Sequence, residues 1–188
     1  MNFNNDIDKC VAVLESGGII LYPTDTIWGI GCDATNSEAV KKIYQLKNRA
    51  DEKSMIVLLA QEDDILKYVE ELDLRVFEYL KIVQKPTTVV YEKAINLAEN
   101  LLGNDGSVGI RLCKDDFCRI LINRFQKPIV STSANVSGNE FPKNFEVVDV
   151  AIKTGVDYIV QYRQGDKKNV TPSAVVKWKN GEVQVLRS

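Results

Sequence analysis

The chain has 188 residues, 45% hydrophobic and 27% charged, which suits one globular domain over 1–188 with a substantial core and argues against disorder. Its net charge of −2 announces no extended polyanion-binding surface, while leaving room for a local basic pocket. Histidine is absent, which removes Ser-His-Asp and Cys-His catalysis, histidine-ligated zinc and any imidazole base.

Ile7, Cys10, Val11 and Leu14 fall at helical spacing, and Gly17-Gly18 closes that helix. Residues 19–22 are a short apolar run stopped by Pro23, hence a strand. Thr35 or Asn36 caps a second helix whose Ala39, Ile43 and Leu46 share one face; Lys41 and Lys42 lie opposite, with Lys47 and Arg49 at its C-terminal end. Residues 55–60 read as a buried strand, and 65–68 and 76–83 as helical, with Asp73 as a cap. Strands are expected at 87–91, 107–112 and 128–131. Between the last two, Phe117, Ile120, Leu121 and Phe125 mark an amphipathic helix capped near Asp115. The end is β-rich: 158–161 is a strand, and 174–178 pairs with 183–186 across an Asn180-Gly181 turn. Interleaved strands and helices predict a mixed α/β or α+β domain around a central sheet. The polar stretch 163–169 is the best candidate for a mobile loop.

Cys10, Cys32, Cys113 and Cys118 contain no C-x-x-C. Without a signal peptide or an apolar run of membrane length, they are expected to be buried or free thiols in a reducing cytosol, in a cytoplasmic protein with no membrane partner.

Four segments carry more chemistry than packing requires. In Tyr22-Pro23-Thr24-Asp25-Thr26-Ile27-Trp28-Gly29-Ile30-Gly31, a strand leads into proline, two hydroxyls flank an acid, and two glycines let the backbone turn closely past something. For Asp25 alone, local capping of a turn is the favoured reading. Lys47-Asn48-Arg49 and Lys53 place three cations within seven residues. On spacing alone they complement a helix dipole in solvent; the functional alternative is an anion clamp. Ser131-Thr132-Ser133-Ala134-Asn135-Val136-Ser137-Gly138 follows a strand, at the edge where α/β proteins bind ligands, and supplies neutral donors and acceptors. In Ser107-Val108-Gly109-Ile110-Arg111, the arginine either pairs with an anion or an acidic side chain, or lies on an exposed strand face. Hydroxyls, cations and an amide without a nucleophile–base pair suit electrostatic catalysis of phosphoryl or nucleotidyl transfer. Neither G-x-x-x-x-G-K-[ST] nor G-x-G-x-x-G occurs.

These segments, with Thr171-Pro172-Ser173-Ala174-Val175-Val176 and Arg187, occur in an order that resembles the YrdC-like family over nearly the whole chain. The resemblance implies a twisted mixed sheet with helices around a concave basic cleft, in the short, single-domain form. It also implies L-threonylcarbamoyladenylate synthase activity, a nucleotidyl transfer joining L-threonine, bicarbonate and ATP with Mg²⁺. That is the first step toward the threonylcarbamoyladenosine at position 37 of tRNA, and downstream threonylcarbamoyl-transfer proteins would be partners. Carried over, the catalytic tetrad falls on Lys47, Arg49, Ser133 and Asn135. ATP contacts fall on Arg49, Lys53, Ser107, Ser133 and Arg187; threonine contacts fall on Thr26, Arg111, Ser131 and Ser173, with Arg111 facing the carboxylate. No residue is assigned to the metal, which ATP oxygens and water would hold. Leu58 replaces a histidine common at a threonine-side position, Phe141 replaces a small polar residue near ATP, and 47–50 lacks the usual glycine and proline. Lys47 and Arg49, near a helix end, are expected at the surface and unimportant for stability. The alternative is a non-catalytic module for double-stranded RNA or tRNA, against which the acidity and the lack of interleaved aromatic and basic residues count. A threonine sensor without chemistry is a third reading.

Overall fold

Nine strands form one sheet in the computed structural model, which describes residues 3–48, 55–167, 171–179 and 181–188. They are β1 (Ile20–Tyr22), β2 (Gly29–Gly31), β3 (Ile56–Leu59), β4 (Thr87–Tyr91), β5 (Val108–Leu112), β6 (Ile129–Ser133), β7 (Tyr158–Ile159), β8 (Ala174–Lys179) and β9 (Glu182–Arg187). The spatial order is β7-β1-β2-β6-β3-β5-β4-β8-β9. Parallel pairs (β7 with β1, β3 with β5, β4 with β8) are interspersed with antiparallel ones, so the sheet is mixed as expected.

The helices are α1 (Asn4–Glu15), α2 (Ser37–Lys47), α3 (Arg75–Ile82), α4 (Asp116–Phe125) and α5 (Val150–Gly155). Asn36 caps α2, accepting from the Glu38 and Ala39 amides, and Asp115 caps α4 through the Cys118 amide. Residues 65–68 belong to a 3₁₀ turn, Asp63–Lys67, rather than an α-helix. Ile120 is exposed, so the buried stripe of α4 is Phe117, Cys118, Leu121, Ile122 and Phe125. α5 was not foreseen. Neither was β2: its glycines, read as a turn, form a strand because Gly31 lies where a Cβ would stand 2.6 Å from the Val130 carbonyl and 2.7 Å from the Tyr22 ring. Only a residue without a side chain lets these strands close up. Among the described residues no helix is long and apolar enough to cross a membrane.

Strand periodicity divides the sheet into two faces. Leu21, Ile30, Val57, Leu59, Val89, Ile110, Val130 and Val176 point into the larger core, under α2, α3 and α5. Ile20, Tyr22, Leu58 and Ile129 point the other way, against α1 and α4. These two helices cover only the β7-β1-β2 end and its neighbours. Over β3, β5, β4 and β8 the same face carries Ile56, Gly109, Arg111, Thr88 and Val175, which line a cleft. Apolar and polar halves of one face thus separate core from site.

Asp6, buried on α1, accepts from Tyr158 Oη at 2.5 Å and from the backbone N–H groups of Gln161 (3.1 Å) and Tyr162 (3.0 Å). This holds the chain as it leaves β7 for the stretch 163–169. Within that stretch Arg163 is anchored to Asp115 at 2.6 Å and Asp166 at 3.0 Å, while Lys168 and Asn169 lie outside the described residues. Asp6→Asn turns an amide N–H toward one of these donors, so urea denaturation is expected to show a loss of about 2 kcal/mol.

Candidate active site

The cleft has a volume of about 350 Å³. Its floor is the open sheet face, where Gly109 matters: a Cβ there would stand 3.1 Å from Thr88 Cγ2 and project into the cleft. Thr26, Ser107, Arg111, Ser131, Ser133, Ser173 and Arg187 all line it, seven residues nominated from separate stretches of sequence. The charged groups among the described lining residues are Arg111 and Arg187, with no carboxylate beside them in the lining.

Arg111 is 4% exposed, which overturns the exposed-strand alternative. Its Nη1 donates to Thr26 Oγ1 at 3.2 Å, and its Nη2 stands 3.2 Å from Asp25 Oδ1. The latter is an ion pair without hydrogen-bond geometry. Among the described residues both Asp25 oxygens and Arg111 Nε lack a hydrogen-bond partner. Asp25, read from sequence as a local turn cap, is therefore the buried counter-charge of Arg111, far along the chain. Thr24 accepts from the Thr26 amide, so that turn is capped by its neighbour.

At the other wall, Thr88 Oγ1 and Ser173 Oγ share a hydrogen bond of 2.9 Å. Arg187 donates through Nε (3.2 Å) and Nη2 (2.8 Å) to the Ser173 carbonyl. The β8–β9 hairpin with Gly181 at φ +81° brings Arg187 opposite Val175 on the cleft side. Its Asn180 lies outside the described residues. Thr88 and Thr132 also line the cleft and were not nominated. Alternation from Arg111 through β5 could have flagged the face, but not which strand neighbours it.

Lys47 departs most from expectation. It is not on the surface: it is 1% exposed, and its ammonium donates to the Ser133 and Asn135 carbonyls, the latter at 2.6 Å. The Ser137 amide returns a bond to the Lys47 carbonyl at 2.8 Å. Asn48 ends α2 in the left-handed region (φ 47°, ψ 47°), a conformation asparagine tolerates. The end of α2 is thus stapled to the turn after β6. Asn135 Nδ2 is spent inside that turn, on Val136 O (3.0 Å) and Asn139 O (2.7 Å), while its Oδ1 is buried without a partner among the described residues. Neither Lys47 nor Asn135 lines the cleft. Arg49 and Lys53 lie outside the described residues.

Leu58 faces the α1–α4 core rather than the cleft, and Phe141 stands half-exposed at the cleft rim. All four cysteines are buried and free, and burial raises the thiol pKa of Cys10, Cys32 and Cys118, so these thiols stay protonated. Burial likewise raises the Tyr22 phenol, which donates to the Val130 carbonyl at 3.2 Å as a neutral group.

A family model covering the Sua5, YciO and YrdC proteins, described as telomere recombination, matches residues 12–188. The threonylcarbamoyl-AMP synthase of Photobacterium profundum is 30% identical over 170 residues, 89% of this chain and 92% of its own length. That of Pseudoalteromonas translucida is 29% identical over 186 residues, 97% and 98% of the two chains. Among solved structures, P. abyssi Sua5 complexed with L-threonine superposes with a TM-score of 0.85 at 22% identity, over 96% of this chain and 53% of its own. E. coli YciO superposes with a TM-score of 0.82 at 20% identity, over 98% and 89%. The chain spans about half the length of the P. abyssi protein and nearly all of the two curated relatives. At these identities the solved structures speak to the fold.

Proposed function

The chain belongs to the Sua5/YciO/YrdC family, and from that premise we propose that it is an L-threonylcarbamoyladenylate synthase, a nucleotidyltransferase. One observation carries the reading: a single cleft, lined by serines, holds a buried arginine bonded to the Thr26 hydroxyl at one wall, and a second arginine bonded to Ser173 at the other. Arg111, with Thr26, Ser131 and Ser173, suits an amino-acid carboxylate and its polar neighbours, since guanidinium pairs with carboxylate as a fork. Ser107, Ser133 and Arg187 suit nucleotide phosphates, and Arg49 and Lys53 are proposed to join them.

In the reaction, the threonine nitrogen bonds to the carbon of carbon dioxide, or of bicarbonate with loss of water, and gives up a proton. A carbamate oxygen then attacks the α-phosphorus of ATP, and the bond to pyrophosphate breaks. Arg187 and Arg49 are proposed to neutralise charge on the phosphates, and Ser133 to hold the nucleotide. Lys47 acts from behind, by holding the end of β6, where Ser133 stands. Among the described residues no group of three or more carboxylates or cysteines converges on one point. We propose that ATP oxygens and water would hold Mg²⁺, which would supply neutralisation of phosphate charge. The product is a mixed anhydride, consumed by transfer proteins that carry its threonylcarbamoyl group to adenosine 37 of tRNA. A non-catalytic RNA module is not favoured, because nothing in RNA binding calls for a buried carboxylate-binding arginine.

Pyrophosphate release is expected to require ATP, Mg²⁺, threonine and bicarbonate together. Equal release without threonine would exclude the synthase reading. Serine, lacking one pocketed methyl, is expected to be poorer by about 1–3 kcal/mol in kcat/KM.

A further inference from the structure

The hydroxyls behind the cleft wall are wired in one direction. Thr24 Oγ1 lies 2.8 Å from the Ile27 carbonyl oxygen, which only accepts, so the single Thr24 proton is committed there. The same Thr24 oxygen accepts from the Thr26 amide at 3.0 Å and lies 3.0 Å from Thr26 Oγ1. With its proton used, Thr24 can only accept at that contact, so the Thr26 hydroxyl is the donor. Arg111 Nη1, always a donor, fills one lone pair of Thr26 Oγ1 at 3.2 Å. Thr26 is left with one lone pair, and Thr26 lines the cleft. Thr24 is buried and does not line it.

We propose that Thr24 is a positioning residue that fixes Thr26 as a hydrogen-bond acceptor for the α-amino group of the bound amino acid. This rests on the threonine reading and deepens it. A carboxylate and an α-nitrogen are separated by one carbon, which matches the adjacency of Arg111 Nη1 and Thr26 Oγ1. The nitrogen donates whether protonated or neutral, and it keeps one N–H after carboxylation, so an acceptor serves both amine and carbamate. A freely rotating hydroxyl could instead donate to the amine lone pair, the pair that must attack carbon dioxide. Thr24 removes that option by holding the proton on its own side.

The test is calorimetric titration of L-threonine and of its amine-free analogue 3-hydroxybutyrate into wild-type, Thr24→Val, Thr24→Ser and Thr26→Val proteins. The wild type is expected to prefer threonine by about tenfold or more, the scale of one hydrogen bond to a charged group. Thr24→Val should lose most of that preference by weakening threonine alone, and Thr24→Ser, which keeps the hydroxyl, should retain it. Thr26→Val is expected to behave like Thr24→Val and decides the matter if the latter does not fold. A wild type without the preference, a Thr24→Val protein that keeps it or weakens both ligands equally, or a serine variant behaving like valine overturns the proposal. A wild type that binds no threonine overturns the synthase reading instead.

Discussion

Asp25→Ala is expected to lower the unfolding free energy by about 3–5 kcal/mol, the cost of leaving one member of a buried ion pair without its partner. The side chains of Arg111 and Asp25 are 4% and 12% exposed, so water replaces the lost carboxylate poorly. The guanidinium would remain in a low-dielectric setting with Thr26 Oγ1 as its hydrogen-bond partner. Adding Arg111→Met should recover most of the loss, because an apolar side chain of similar length removes the stranded charge. Threonine binding should not recover, since the carboxylate partner is gone. A double-mutant cycle followed by urea denaturation isolates the coupling. Additive single effects would show that Asp25 supports the turn at 23–28 rather than Arg111. Asp25→Ala alone should also make threonine binding sensitive to chloride, because an uncompensated buried cation recruits any small anion.

Lys47→Met is expected to cut turnover by about 10²-fold or more and to lower the melting temperature by roughly 4–8 °C. Methionine fills nearly the same volume, so packing changes little. What is lost is the donor for the Ser133 and Asn135 carbonyls. The Ser133 carbonyl keeps the Asn135 amide as a donor at 2.9 Å, so the Asn135 carbonyl is the acceptor left unpaired, at a cost of about 2 kcal/mol. For a chain of this size that is a few degrees per kcal/mol. The larger catalytic effect follows because Lys47 holds the end of β6, where Ser133 stands, and a displacement of about 1 Å in a positioning element costs on the order of 10² in rate. An anion clamp in solvent would behave differently: the ATP KM would rise with the melting temperature unchanged. Calorimetry together with separate kcat and KM values distinguishes the two.

The sequence by itself determined most of the elements, though not α5 or β2. Apolar runs bounded by Pro23 and by Asn36, Asp115 and Gly181 placed strands, helix starts and the last hairpin, because these signals act over a few residues of chain. It also nominated the stretches that line the cleft, since clustered hydroxyls and a lone arginine in an apolar strand are costly without a purpose. Seven of the nominated residues meet in one cleft as a result. Partnership was decided only by the tertiary structure. Asp25 beside Arg111, Lys47 beneath Ser133, Thr88 against Ser173 and Gly31 against the Tyr22 ring are all contacts between elements distant in sequence or set by strand order. A charged side chain near a helix end looks the same in sequence whether water or two backbone carbonyls surround it. Burial distinguishes them, and burial is a property of what the rest of the chain packs against that position.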